Sequence, residues 1–529
     1  MGIALSDPRR GGFRYNGAAR ELGRGEDVLN RQIILGHLRV VVFASIAAFE
    51  AACSSGSPGI SSGNGSGGSS NGGSGGTGSL DAGGSPDTGA DINADAAAGT
   101  GGASNSDASV DASIDVSSDV AIDSASDAAI DVSDGSIDTS ETSLEVQAAT
   151  DGGNKHLPPS PIVQFWGGGR HSIALLADGS VWTWGSNVSG KLGNGETSAS
   201  YSDTSHDSFV PLKVHGPGNV GYLSAVVAIS AGEGHNLALK SDGTVWAWGW
   251  NGVAQLGNGT ANDAFTPVQV SGLANVVAIS GRAYHCLALK SDGTVWAWGD
   301  NRYGQLGSGS TAATMVPVQV LGLSNPASIS AGYTVSLARM SDGTVRVWGT
   351  GLHGEMGQGQ FGDHSYSPIS VMGLSNVTSV SADFEEPNAL KSDGTMWMWG
   401  WNNLGQLGNG NTADQNLPVQ VSNLTNVLFA GPTGDRNNCA LKNDHTVWTW
   451  GRNYNGQLGV GTADMDLHAL PVQVPAFGDA AVTSVQTPDW HSLALESDGT
   501  LWGWGSNDHG QLGNGTTNDA HSPAPVMWP

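Results

Sequence analysis

Cysteine is nearly missing from this 529-residue chain: Cys53, Cys286 and Cys439 are its three copies. So few exclude a disulfide framework, and the two in the C-terminal 370 or so residues cannot build a metal site. Positive charge is scarce as well, with 21 Lys and Arg against 48 Asp and Glu and a formal net charge of −27. Nucleic-acid affinity rests on Lys and Arg neutralising phosphates, so that class of partner is excluded. The apolar stretch Val40–Phe49 is ten residues long, half of the roughly 20 that a membrane-spanning helix needs. Nor does any segment beyond residue 160 hold a helical apolar period.

What is abundant is glycine, 80 residues of it, and repetition. The phrase LALKSDGTVWAWG occupies 237–249 and returns unchanged at 287–299. Anchored on the Asp of each Asp-Gly (Asp-His in the sixth copy), copies fall at Asp178, Asp242, Asp292, Asp342, Asp393, Asp444 and Asp498, at spacings of 64, 50, 50, 51, 51 and 54. Each unit has two short apolar runs around a Gly-bearing turn, the strongest short hairpin signal. It continues through N-x-x-G-Q-L-G to a Pro-Val-x-Val strand and a further apolar strand such as VVAIS, about four strands in all. A four-stranded unit apolar on both faces must be sandwiched between neighbours, and radial repetition achieves this. The fold class is all-β: a seven-bladed β-propeller of four-stranded blades over 156–529.

Thirteen of the eighteen Trp sit in pairs two residues apart (182/184, 246/248, 296/298, 397/399, 448/450, 502/504) or, in the fourth copy, at Trp348 alone. Residues two apart share a strand face, so each pair is expected to wedge between blades. Burying one ring contributes roughly 4–6 kcal/mol gross. These Trp read as core rather than as a sugar platform.

The units DGTVWAWG, NRYGQLGSG and HSLALESDG closely resemble the repeat of the regulator of chromosome condensation family, over about 70% of the chain. The resemblance implies the same seven-bladed propeller. It also implies, as an alternative function, guanine-nucleotide exchange on a small GTPase, the family's best-known activity. Some exported bacterial proteins similar in repeat and blade number are protein-binding modules. The Asp box of sialidases is a weaker fit, because it lacks the following G-Q-L-G.

The N-terminal part is different. Residues 1–53 read as an extension with a lipoprotein-like signal: Val40–Phe49 follows Arg31, His37 and Arg39 and leads to Ala51-Ala52-Cys53, with Cys53 as the lipidated residue. Glu50, where a Leu is usual, and the 39 residues ahead of the apolar run depart from that pattern. Residues 54–155 hold sixteen acidic residues against Lys155 and read as a disordered Gly/Ser then Asp-rich linker. Asp recurs at every fourth position from 107 to 131, which on a helix would stack like charges. An extended stalk with a reach of roughly 50–60 Å follows; calcium binding would need a Gly-turned loop that is absent. The expected location is the cell envelope, with a lipid anchor as the sole membrane contact. A cytoplasmic chain is the alternative if the segment is not a signal.

Function is sought where the copies differ. The Asp-Gly turns barely change, so their end of the propeller reads as structural. At the opposite end, the residue before the His position and the loop after Trp-Gly vary, and are rich in aromatics and Arg, the composition of binding hot spots. Arg170, Trp250, Tyr284, Tyr303, Tyr333, Phe384, Glu385, Trp401, Arg436, Arg452 and Trp490 form this candidate partner-binding rim. Exposed Trp such as 250, 401 and 490 need a partner or a packing role. The His position itself (His171, His235, His285, His491, replaced by Val335, Glu386 and Asn437) reads as a blade residue bonded to neighbouring backbone, with no metal. Asp383, Glu385, Glu386 and Asp435 are the weaker, catalytic alternative. The first copy carries insertions within 196–211 and 215–226, either decoration or a contact arm. The expectation is a non-catalytic, monomeric interaction propeller with a protein partner and no cofactor.

Overall fold

The computed structural model describes residues 157–382, 384–431, 434 and 436–529. The signal-like segment, Cys53, the acidic linker, Asp383 and Asp435 lie outside the described residues. Two compact units divide the chain, and one of them, Pro58–Asp151, is wholly among the residues not described.

Seven four-stranded antiparallel sheets follow one another along the chain, each drawn from consecutive strands. They are blades 1 to 7, at 162–213, 226–269, 276–319, 326–370, 377–420, 427–473 and 482–525. In blade 1 the strands are Ile162–Gly167, His171–Leu176, Val181–Gly185 and Ser208–Lys213. First strands of neighbouring blades lie against each other, and the fourth strands carry exposed residues. The all-β seven-bladed propeller is therefore the observed fold.

Each Asp-Gly turn closes the hairpin as a three-residue loop: in blade 2, Lys240 N donates to Thr244 O (2.9 Å) and Gly243 N to Lys240 O (2.9 Å). Gly243 sits at φ +78°, where a side chain is disfavoured. The Asp then finishes the turn. Asp242 Oδ1 accepts from Thr244 N (2.9 Å) and Thr244 Oγ1 (2.6 Å), and Trp246 Nε1 donates back to Thr244 Oγ1 (3.1 Å).

The blades are joined by the second Trp of each pair. Trp184, Trp248, Trp298, Trp348, Trp399, Trp450 and Trp504 have no exposed surface, and each packs into the apolar core of the blade before it, as Trp298 does with Leu237, Leu239 and Val245. Each indole also donates to one backbone carbonyl of that preceding blade: Trp298 to Gln255 (2.9 Å), Trp348 to Gln305 (2.8 Å), Trp450 to Gln406 (2.8 Å). At five of the seven boundaries this is the Gln of the Q-L-G phrase, and at the other two Lys191 and Glu355 take its place, so the two most constant phrases of the repeat are partners across the blade boundary.

Ring closure uses the same device and differs from the obvious sequence expectation, in which the terminal segments 161–163 and 525–527 share the last blade. Ile162 begins blade 1 and Pro525 ends blade 7, in separate sheets. They meet through a side-chain core, in which Ile162, Phe165 and Trp184 pack with Leu493, Val526 and Trp528. Trp184 Nε1 donates to Gln511 O (2.9 Å) across this seam.

Candidate partner-binding rim

The rim is assembled by the glycine of Trp-Gly. In all seven copies it has positive φ, and a Cβ there would collide with the carbonyl oxygen of the residue before the His position. The next amide donates to that same carbonyl: Trp250 N to Gly234 O (2.8 Å), Trp401 N to Glu385 O (2.9 Å), Arg452 N to Arg436 O (2.8 Å). The two variable loops of each blade are thus tied side by side at one end, as their strand directions require.

Their side chains pack on one another around the channel mouth. Trp250 meets Tyr284 (5.4 Å between ring centroids), Tyr284 meets Tyr333 (5.3 Å), Tyr333 meets Phe384 (4.4 Å) and Phe384 meets Trp401 (6.0 Å). The Arg436 guanidinium caps Trp401 at 4.3 Å, and that of Arg452 caps Trp490 at 4.1 Å. Arg170 reaches Trp490 at 5.9 Å and pairs with Asp508 at 2.6 Å. Such cation–π contacts contribute about 0.5–1 kcal/mol each at exposed sites. Ten of the eleven candidate residues join this collar or, like Glu385, flank it: His353 stacks on Trp401 at 5.1 Å and lies 3.6 Å from the Glu385 carboxylate. Tyr303 makes no ring contact among the described residues; its amide donates to Gln305 Oε1 (2.9 Å), a scaffold role. The Trp of the rim are half-buried, so they have a packing role and still present an edge to solvent.

Within the collar, Arg282 and Asp489 pair at 2.7 Å and, with Glu233, Tyr333, Phe384 and Trp490, line a small cavity of about 80 Å³. Burial pushes the Glu233 carboxyl up from its ordinary value, helped by Asp489. Burial and the neighbouring Glu233 likewise push the Tyr284 phenol up.

The His position differs from the expectation in its partner, which is a side chain and not backbone. His171 Nε2 meets Asn236 Oδ1 (2.9 Å), His235 meets Cys286 Sγ (3.1 Å), His285 meets Ser336 Oγ (2.8 Å) and His491 meets Ser172 Oγ (2.8 Å), each in the following blade. A hydroxyl or amide can accept this bond and still donate onward, as Ser336 Oγ does to Gln305 O (2.8 Å). Burial holds these imidazoles neutral, that of His235 down at about 3. Glu386 takes the same place in blade 5 and is buried, accepting from Glu385 N (3.0 Å) and Arg436 N (3.2 Å). Among the described residues no group of His, Cys, Asp and Glu could hold a metal ion, and Cys286 and Cys439 are buried free thiols.

Four residues of this end are left out of the sequence reading: Tyr201, Asp207, Lys191 and Glu355. Tyr201, from the first insertion, lies under Arg170 (5.1 Å) and edge-on to His509 (5.8 Å); Asp207, which takes Asn187 N as Asp263, Asp414 and Asp519 take the equivalent amides of their blades, also meets His509 Nδ1 at 2.6 Å. The insertion is therefore folded onto the seam between blades 7 and 1. Lys191 and Glu355 stand where five copies have the Gln of G-Q-L-G, a signal that aligning the seven copies supplies.

Comparison with known proteins agrees with this architecture. The RCC1-like domain matches residues 125–386, and the regulator of chromosome condensation (RCC1) repeat matches 393–430, 444–495 and 498–529. The Ultraviolet-B receptor UVR8 of Arabidopsis thaliana is 30% identical over 376 residues, 70% of this chain and 71% of that protein. The human E3 ubiquitin-protein ligase HERC2 is 34% identical over 136 residues, which span 3% of its length. Among solved structures, human WBSCR16 superposes with a TM-score of 0.57 at 23% identity, covering 66% of this chain and 94% of its own. Prp20p of Saccharomyces cerevisiae, described with its binding to Gsp1p and histones, superposes with a TM-score of 0.56 at 21% identity, covering 70% and 87%. By repeat, blade number and relatives, this chain belongs to the regulator of chromosome condensation repeat family.

Proposed function

We propose that the chain is a non-catalytic protein-interaction propeller, tethered at the cell envelope through Cys53, that docks a protein partner on its aromatic and guanidinium collar. The observation that carries this reading is the collar itself, a line of half-buried rings from Trp250 to Trp401 flanked by Arg436. Rigid aromatic area beside Arg is the composition of interface hot spots. Protein binding by relatives such as Prp20p supports a protein as the partner. The anchor reading rests on the Ala51-Ala52-Cys53 sequence after an apolar run.

The test is affinity capture from the source organism's envelope extract. The baits are the full chain and a variant carrying Tyr284→Ala, Phe384→Ala and Trp401→Ala, both verified as folded by circular dichroism. A protein retained by the first bait and lost by the second, whose purified form then binds with the same discrimination, is the expected result. Equal capture by both, or none, overturns the rim as the docking face.

A further inference from the structure

Lys191 has 1% of its surface exposed and lies in the floor of a pocket of about 300 Å³ that also takes Ser189, Tyr201, Glu233, Trp250 and Tyr284 into its walls. Among the described residues its ammonium has no carboxylate within 4.0 Å, and its one hydrogen bond goes to Tyr201 Oη at 3.4 Å. The Tyr201 ring lies 4.9 Å from Nζ. A buried cation so weakly partnered is expensive to keep.

The other copies show that the scaffold does not need it. The equivalent Gln side chain accepts the amide two residues before it, as Gln305 Oε1 does from Tyr303 N (2.9 Å) and Gln511 Oε1 from His509 N (2.9 Å). Even Glu355 keeps that bond, from His353 N (2.8 Å). A lysine has no acceptor to offer Ser189. Only the backbone of Lys191 does the common work, taking Trp248 Nε1 (3.0 Å) and Asn236 Nδ2 (2.8 Å) on its carbonyl. Two departures peculiar to the first copy, the lysine and the insertion that brings Tyr201, converge on this one pocket.

We propose that the pocket is a binding site for a carboxylate carried on a flat apolar body, with Lys191 Nζ pairing the carboxylate and Tyr201, Trp250 and Tyr284 holding the body. Supplying the missing counter-ion converts a poorly solvated ammonium into a charge-assisted hydrogen bond. The aromatic walls suit a ring. A singly charged group fits better than a phosphate, because Glu233 is in the wall and repels a second negative charge. The volume is at the lower end for small-ligand sites, enough for an aromatic acid or the last residue of a peptide. These are two sources of one chemistry.

Four probes separate them when titrated into the full chain by calorimetry: 3-phenylpropionate, its amide, the peptide N-acetyl-Gly-Gly-Phe, and the amide of that peptide. Saturable binding of the free acid and not its amide identifies a small acid as the source; binding confined to the peptide acid identifies a chain terminus. Either requires that Lys191→Gln weaken binding by about tenfold or more, as loss of a hydrogen bond to a charged group does. Lys191→Gln restores the residue of five sister copies and is expected to fold, which thermal unfolding checks. Independently of any variant, affinity of the unaltered chain should fall as pH is raised past about 8, where burial places the Lys191 amine. Arg170, Asp207, Glu233 and Asp489 are the other charges facing that amine. No saturable binding of either acid at millimolar concentration, equal binding of acids and amides, or unaltered binding in Lys191→Gln overturns the proposal. Failure here leaves macromolecular docking on the collar intact, since that is read by the Tyr284, Phe384 and Trp401 variant.

Discussion

The two ends of the propeller are built from the same seven repeats and satisfy their side chains in opposite ways. At the turn end the side-chain bonds are local, although backbone bonds such as Val276 N to Gly243 O (3.1 Å) link the blades there too: Asp292 Oδ1 takes Thr294 N (3.0 Å) and Oγ1 (2.6 Å), and Trp296 Nε1 returns to Thr294 Oγ1 (3.1 Å). The same triad recurs at Asp393, Thr395 and Trp397. At the loop end the contacts run from blade to blade, Tyr284 to Tyr333 to Phe384, or Arg436 to Trp401. A local solution can be copied unchanged, whereas side chains that pack from blade to blade need residues matched to their neighbours at each station. Sequence constancy at one end and variety at the other follow from that difference.

The largest effect is expected from cutting what both ends share. Trp298→Ala removes a fully buried ring and its bond to Gln255, and should cost about 3–5 kcal/mol in denaturant unfolding. A loss under about 1 kcal/mol would mean that the blades do not depend on this stitch.

Next is Lys191→Gln. Burial depresses the amine from 10.5 to about 8, so the unfolded chain binds more protons than the folded one between those values, and stability rises with pH across that window. The variant should be more stable than the parent at pH 7 by up to about 3 kcal/mol, with the gain shrinking above pH 8 and vanishing beyond 10.5. Glu355→Gln tests the opposite sign. Burial raises that carboxyl from 4.5 to about 8, so the folded chain binds the extra proton and parental stability falls as pH climbs from 4.5 through 8. The variant should flatten this slope, read from midpoints of guanidinium unfolding at several pH values.

The smallest effects sharpen the contrast between the ends most directly. Arg436→Ala should change stability by no more than about 1 kcal/mol while weakening partner capture. Thr294→Ala should lower Tm slightly and leave capture unchanged. If the two variants exchange phenotypes, the turn end is the docking face.

Much of this was legible in the sequence, because a turn or strand pairing is specified within about thirty residues. Asp-Gly located the hairpins, and the constant Trp located the core. The fold therefore followed from counting. What the repeat could not show is where a blade begins: anchoring on Asp places VVAIS at the end of a unit, although its hydrogen bonds make Val226–Ala231 the first strand of the next blade. That is why the sequence alone points to the termini lying side by side in the last blade. The His partners escape the sequence for a related reason, since Ser336 and Cys286 lie 51 residues beyond the imidazoles that meet them. At the rim, rank by rank comparison found the collar residues, but it could not foresee that Tyr201 returns from an insertion to lie beside Lys191.

A sheet drawn entirely from one stretch of chain has a consequence for how such a protein changes over time. In a ring closed by exchanging a strand between the two ends of the chain, gaining or losing a repeat disturbs a sheet that both ends share. Here a tandem duplication of fifty residues inserts one finished blade. Its Trp donates to the carbonyl before it and its own carbonyl receives the Trp after it, as at all seven boundaries. The unit of genetic copying and the unit of hydrogen bonding coincide, so any blade is a grammatical successor to any other, and the loops it carries can be shuffled without redesigning the ring.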